Sequence, residues 1–402
     1  MKKRRLISDS IEIPHDIIIE VLKRLPVKSL LRFKCVCKIW NSTISDPQFT
    51  ETHRKCSRFR VGGNYLVAFW HYGDRIIVSF KNHDGRRSCT IPPPIHLKLK
   101  TPINSIRDRI SISPPMNGLV CLYSHKGRGH ALVLNITTRQ ILYLPKFATK
   151  FVGRLEIGFD ELTGEYKVLN LYMELGTLKC AIYTIGSDSL WRKTMDPPQT
   201  IHLVPGASRA CVNGNMYWLV LDDWGVITYL VAFNVGREVF RTLKFTESLT
   251  CRTRLLVLEG CLACIPIHVY AERVEHPTEI WLLGECQEDA QVLAKEKIRF
   301  PKKLSLKLAL CEDSGVLPTT ELLLLDSNHS KKLYVDLKEK SIKEKRYQWS
   351  HPRKDEQDKF LSSLSYEIRY IHVENMYRFK YQDDVRYSRF LYLLRNVHDL
   401  EE

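Results

Sequence analysis

Cys261-Leu-Ala-Cys264, followed by His268, has part of the ligand spacing of a zinc site. Such a site holds a tetrahedral ion with four thiolate or imidazole ligands. No second CxxC pair lies at a suitable distance, so LEGCLACIPI reads as a buried strand pair and no metal or other cofactor is expected. Asp222-Asp223 sets two carboxylates side by side, the raw material of acid–base work, but adjacent acids before Trp224-Gly225 are ordinary turn residues. Gly127-Arg-Gly129 is too short to cradle a phosphate. Neither a GxxxxGKS/T loop nor a Gly-x-Ser-x-Gly elbow follows any apolar run. The sequence therefore points away from covalent catalysis and toward binding.

The 402 residues are 44% hydrophobic and 26% charged, an ordinary globular balance with room for a sizeable core. No apolar run approaches the ~20 residues that span a bilayer. MKKRRLISDSIEIP has basic residues but no uninterrupted apolar stretch after them, so secretion is not expected. Lys2-Lys3-Arg4-Arg5 has the character of a nuclear address. The 12 cysteines fall mostly in apolar runs, as at Cys121, Cys211 and Cys261, and read as reduced, buried thiols. Together these place the protein in the cytosol, the nucleus or both, where Asn41, Asn135 and Asn328 would not be glycosylated.

The formal charge is +16, and residues 1–60 hold 14 Lys/Arg against 6 Asp/Glu, a net +8. A basic N-terminal piece calls for an acidic partner, a nucleic acid or an acidic protein surface.

That piece, IPHDIIIEVLKRLPVKSLLRFKCVCKIWNSTI, has helical spacing. Pro14 suits a first helical position, Asp16 and Glu20 suit the early turns, and Leu25-Pro26 stops the first helix. A second helix is predicted over roughly Val27 to Phe33 and a third over roughly Lys34 to Ser45, ended by Asp46-Pro47. The three short helices carry apolar side chains around most of their circumference, more than one buried stripe needs. The surplus is destined either for the rest of this chain or for another protein.

The order Ile13-Pro14, apolar helix, Leu25-Pro26, then Arg32, Phe33, Cys35, Val36, Lys38 and Trp40, closed by Asp46, Pro47 and Phe49, resembles an F-box. The resemblance covers residues 11–51. It implies docking onto the acidic Skp-type adaptor of a cullin-based ubiquitin ligase, with the uncovered apolar face completed by the partner's helices. Carried over residue by residue, it nominates Pro14, Ile17, Leu22, Leu25, Pro26, Leu30, Val36 and Trp40 as adaptor-binding. Some of these must also form the module's own core, and Trp40 serves either purpose.

From about residue 60 short apolar runs alternate with turns: YLVAFW, RIIVSF, GLVCLY, ALVLNI, NMYWLV and others, the mark of an all-β fold. One unit is written twice. Asn117-Gly118 and Asn213-Gly214 each precede an apolar run, and Asn135 and Asn234 are each followed nine residues later by Leu144 and Leu243. Gly73, Gly118, Gly164, Gly214, Gly260 and Gly315 set a slower period of 45–55 residues, the size of a four-stranded propeller blade. NGLVCL, IGFDELTGEYKVLNLY, VNGNMYWL, VAFNVGREVFRTL and EIWLLGE look like the F-box-associated domain of plant F-box proteins, a kelch-like propeller relative.

The expected architecture is α+β and multidomain. A basic tip covers 1–10, a three-helix module 11–52, and an all-β propeller of six or seven blades 60–337. A charged linker and a C-terminal segment able to close the propeller fill 338–402. The expected function is that of a non-catalytic substrate receptor: the module holds the adaptor and the propeller a target protein. Paired RING-type ligand spacings are absent, so the ubiquitin-conjugating enzyme would be recruited elsewhere. The competing reading, motivated by +16, is a nucleic-acid-binding propeller, although the basic residues of the body alternate with acidic ones. A third, a glycan-cleaving propeller, needs a spatially paired set of carboxylates.

Overall fold

A computed structural model of the chain describes residues 13–57, 64–72, 75–82, 94–98, 110–124, 131–147, 153–198, 209–221, 226–250, 253–258, 260–265, 279–286, 291–299, 311–316, 321–326, 331–336, 341–346 and 365–372. The N-terminal piece holds α1 (His15–Leu22), α2 (Val27–Phe33), α3 (Lys38–Ser45) and α4 (Pro47–Ser57). Helix α3 starts four residues later than Lys34, because Cys37 adopts extended backbone and its Sγ accepts from the Trp40 amide at 3.4 Å. Asp46-Pro47 ends α3 but also starts α4, which the sequence reading did not foresee: proline fits a first helical turn, and Asp46 Oδ1 accepts from the Gln48 amide at 2.9 Å.

The rest is strands. The first sheet holds β1 (Asn64–Tyr72), β2 (Arg75–Asn82) and β3 (Ile95–Lys98). The second holds β4 (Ile110–Ile112), β5 (Leu119–Ser124), β6 (Ala131–Asn135) and β7 (Ile141–Tyr143). The third holds β8 (Arg154–Phe159), β9 (Tyr166–Glu174), β10 (Thr177–Thr184) and β11 (Arg192–Lys193). The fourth begins with β12 (Arg209–Val212), β13 (Asn215–Leu221), β14 (Val226–Asn234) and β15 (Val239–Thr250). It continues with β16 (Arg254–Leu258), β17 (Cys261–Ile265), β18 (Glu279–Cys286) and β19 (Gln291–Arg299). Its two halves are antiparallel meanders joined by a parallel pairing of β15 with β19. The fifth holds β20 (Cys311–Val316), β21 (Glu321–Asp326), β22 (Lys331–Asp336) and β23 (Ser341–Arg346). Finally β24 (Ser365–His372) returns to pair antiparallel with β1, from His71↔Ser365 to Asn64↔His372.

Strand β23 lies inside the stretch read as charged linker. Among the described residues it is the outer strand of its sheet, a position where lysine-rich sequence such as SIKEKR is common.

The apolar core lies between successive sheets. Both faces of β9 are buried: Val168 packs toward the second sheet and Leu169 toward the fourth. This is why the body shows continuous apolar runs rather than strict alternation. The sheets approach closely at Gly158, where a Cβ would lie 2.6 Å from Val235 Cγ2. Gly118, Gly164, Gly214 and Gly260 all have positive φ in the turn after the first strand of their meander, which explains much of the slow period. Gly315, by contrast, lies within β20, paired with Leu323, and Gly73 falls outside the described residues. In the repeated unit, Asn135 Oδ1 accepts from the Thr137 and Thr138 amides and Asn234 Oδ1 from Arg237, turning the chain toward buried Leu144 and Leu243.

These turns meet at one end of the body. Asn117 Nδ2 donates to Tyr166 Oη at 3.3 Å, the Phe159 carbonyl lies beside Gly214, and Asn213 Nδ2 donates to the Gly260 carbonyl at 3.5 Å. Helix α4 reaches the same end: the buried Arg54 guanidinium lies 4.6 Å from the Phe159 ring centroid while Glu51 accepts from it at 2.6 Å. His53 Nε2 sits 2.8 Å from the Leu25 carbonyl, tying α4 back to the module.

Arg54→Ala is expected to loosen the module from the strand body and turn one calorimetric transition into two. At the boundary between the third and fourth sheets, Glu238 accepts from Arg192 at 2.9 Å and from Lys167 at 2.8 Å. Arg192 first, then Lys167, hold its carboxyl below the ordinary value of 4.5 against the opposing effect of burial. A lowered folded-state pKa stabilises above 4.5 and loses its effect as pH falls below it. Glu238→Gln is therefore expected to be less stable than the parent at neutral pH, with the gap closing under acid, as read by urea unfolding at both.

Candidate functional site

The helical module has a small core of its own: Leu22, Val27, Leu30, Ile44 and Phe49, with Leu25, Leu31, Phe33 and Trp40 packed against it. Leu22 and Leu30, nominated as adaptor contacts, are 1% and 0% exposed and belong to that core. Their β-carbons face inward because the α1 and α2 stripes meet there. Leu25 and Trp40 are half-buried, and the Trp40 ring lies 5.3 Å from the Phe33 ring, centroid to centroid. Pro14, Ile17, Pro26 and Val36 are exposed.

Beyond the nominated Ile17 and Val36, the exposed apolar surface includes Ile13, Val21 and Ile39, which the sequence reading did not nominate. Ile13, two residues before α1, and Ile17 and Val21 on one side of it recur every fourth residue and are 59%, 52% and 53% exposed. Val36 and Ile39, flanking the start of α3, are 61% and 63% exposed. A spacing of four repeated twice was the available signal; it was obscured by Ile18, Ile19 and Leu22, which share the helix and face the core. Lys28, Arg32 and Lys38 are exposed nearby in sequence, so the apolar groups are accompanied by positive charge. A module this small that leaves five large apolar side chains more than half exposed has the surface of one half of an interface.

The residues with catalytic or ligating potential are occupied or apart. Cys261 and Cys264 are an odd number of positions apart on β17, which puts them on opposite faces; Cys264 is buried and Cys261 exposed, not buried as the apolar run implied. Cys211 is half-buried, and burial raises the thiols of Cys121 and Cys180. His268 and Asp222-Asp223 lie outside the described residues. Among the described residues no group of three or more His, Cys, Asp or Glu is placed to hold a metal, and no helix is long and apolar enough to cross a membrane. The buried carboxylates have structural partners: Glu156 accepts from Arg154 and Arg209, and Asp160 caps its own turn through the Leu162 amide and Thr163 hydroxyl.

Comparison with known proteins matches the F-box domain family over residues 11–52 and the F-box associated beta propeller domain family over residues 67–375. The chain is similar to F-box protein DOR of Arabidopsis thaliana, 28% identical over 341 residues that span 80% of this chain and 84% of the relative. It is similar also to F-box protein At3g47030 of the same plant, 25% identical over 295 residues, 69% of this chain and 68% of the relative. With helices that leave an apolar face open, followed by a body of four-stranded meanders, the chain belongs to the F-box proteins that carry an F-box associated β-propeller domain.

Proposed function

We propose that this chain is the substrate-recognition subunit of an SCF-type ubiquitin ligase, binding a Skp-type adaptor through its helices and a target protein through its propeller. The observation that carries this reading is the exposed apolar row Ile13, Ile17 and Val21, with Val36 and Ile39, on a module whose core is already closed without them. These five residues, with Pro14 and Pro26, are the proposed adaptor contacts. Leu22 and Leu30 hold the shape of the module from beneath. The basic side chains beside them suit an acidic adaptor surface.

We read the propeller as six-bladed: β24 with β1–β3, then β4–β7, β8–β11, β12–β15, β16–β19 and β20–β23. The first strands of the later meanders touch in sequence, β12 with β16, β16 with β20 and β20 with β24, as strands around a common axis do. The mechanism is proximity. Holding a target's lysines near a charged ubiquitin carrier raises their effective concentration, and no group of this chain needs to react. The cytosol and nucleus are the proposed compartments.

Ile17→Asp and Val36→Asp each place a charge in the proposed contact and are expected to weaken adaptor binding by about tenfold or more, with the melting temperature unchanged. Leu22→Ala should behave in the opposite way, losing about 2–5 kcal/mol of module stability by opening a cavity. Surface titration against purified adaptor, paired with thermal melts, checks both. Adaptor binding that survives both aspartate variants defeats the proposed contact surface.

A further inference from the structure

The chain has two Asn-Gly pairs at matched turns, Asn117-Gly118 and Asn213-Gly214, and only the second stands in the open. Asn117 is half-buried, and its Nδ2 donates to Tyr166 Oη at 3.3 Å. Asn213 is exposed. With Gly214 it forms the short turn between β12 and β13, closed by the pairing of Val212 with Asn215. Both turn residues have left-handed backbone, φ 50° at Asn213 and 69° at Gly214, the conformation that selects Asn-Gly.

That dipeptide is chemically labile as well as conformationally suited. The Gly214 nitrogen can attack Cγ of Asn213, because glycine has no Cβ to block the approach. A Cβ built at Gly214 would find the Phe159 carbonyl 4.0 Å away and nothing nearer, so the surroundings leave the turn open too. The difficult step is loss of the Gly214 amide proton, which puts negative charge on the Asn213 carbonyl oxygen of the same peptide group. That oxygen accepts a hydrogen bond from Asn215 Nδ2 at 3.1 Å. A donor set on an oxygen where charge develops stabilises the charged state more than the neutral one. Asn234 Nδ2 donates to Asn215 Oδ1 at 3.0 Å and so holds the Asn215 amide in this orientation. At the other turn the matching residue is Leu119, whose side chain donates nothing.

We propose that Asn213 is a site of spontaneous deamidation and isomerisation, promoted by Asn215. The Gly214 N–Cγ bond forms, the Cγ–Nδ2 bond breaks, and ammonia leaves with the proton that Gly214 gives up. Solvent water then opens the cyclic imide at either carbonyl, giving aspartate or isoaspartate. The left-handed turn must loosen before the nitrogen reaches Cγ, so the folded chain reacts more slowly than the unfolded one. The product alters a contact between meanders. Asn213 Nδ2 donates to the Gly260 carbonyl at 3.5 Å, and an aspartate in its place sets two acceptors against each other. Isoaspartate also lengthens the backbone of the turn, which disturbs the register of β12 on β13 and the Arg209–Glu156 contact that β12 makes with β8.

The test ages the full chain in mildly alkaline buffer at physiological temperature. Mass spectrometry follows the peptide that holds Asn213, and an isoaspartate-specific methyltransferase detects the isomer. Conversion at Asn213 is expected to outpace conversion at Asn117. Asn215→Asp keeps the oxygen that Asn234 uses and removes the donor. It should slow conversion about fivefold, the worth of one hydrogen bond, and the difference should shrink in urea, where no turn holds the two residues together. Asn213→Gly keeps the left-handed turn with no side chain to react; its melting temperature should hold over the same period while that of the parent falls. Asn213 that stays intact in the folded chain while converting in urea overturns the proposal, as does Asn117 converting equally fast. An unchanged rate in folded Asn215→Asp overturns the part given to Asn215. A parent melting temperature that holds despite conversion overturns the part given to the Gly260 contact.

Discussion

Strand β24 lies against β1 along eight residue pairs, from Asn64↔His372 to His71↔Ser365, and the arrangement of the sheets depends on that ladder. The other sheets are built from meanders of consecutive strands, apart from the parallel β15–β19 pairing that joins the two halves of the fourth. The first sheet alone takes a strand from the far end of the chain. Without β24 the edge of β1 would be open, and β20 would lose its neighbour on that side. The ladder is built from backbone groups, each hydrogen bond contributing about 1 kcal/mol net, so its strength comes from number and register rather than from any one side chain. A one-residue slip would reverse which faces of β1 meet the core, and buried Val67 and Phe69 fix the register.

The sheets pack as a sequence of interfaces, and the polar groups between them are satisfied in pairs. Glu156 with Arg154 and Arg209, and Glu238 with Lys167 and Arg192, both join the third sheet to the fourth. Apolar packing at Gly158 brings these sheets close enough for such contacts. Helix α4 extends the same logic outward. It buries His53, Arg54 and Ser57, and through Leu25 and Phe159 it touches both the helical module and the strand body. The module is thus held to the body by side chains as well as by the covalent chain.

Much of this architecture was legible in the sequence because its signals are local. Proline and glycine positions marked the ends of α1 and the turns at Gly118, Gly164, Gly214 and Gly260, and the repeated Asn-to-Leu spacing reflected one turn built twice. What was not legible depends on long-range contact. The partition of α1 into core-facing Leu22 and solvent-facing Ile17 and Val21 follows from how α2, α3 and α4 close around it, and a helix with apolar residues on most sides does not declare that. Helix α4 was hidden by a mean composition too polar for an amphipathic stripe, being buried through His53 and Arg54. Strand β23 was hidden by its charge.

The pairing of β24 with β1 also orders events at the ribosome. The helices are complete once Ser57 has emerged, whereas β1, made next, must wait for Ser365–His372 before its sheet is whole. A nascent or prematurely terminated chain therefore offers a finished helical hook on an unfinished ring. Any messenger RNA truncated before that last strand would encode complete helices ahead of a first sheet left open at β1.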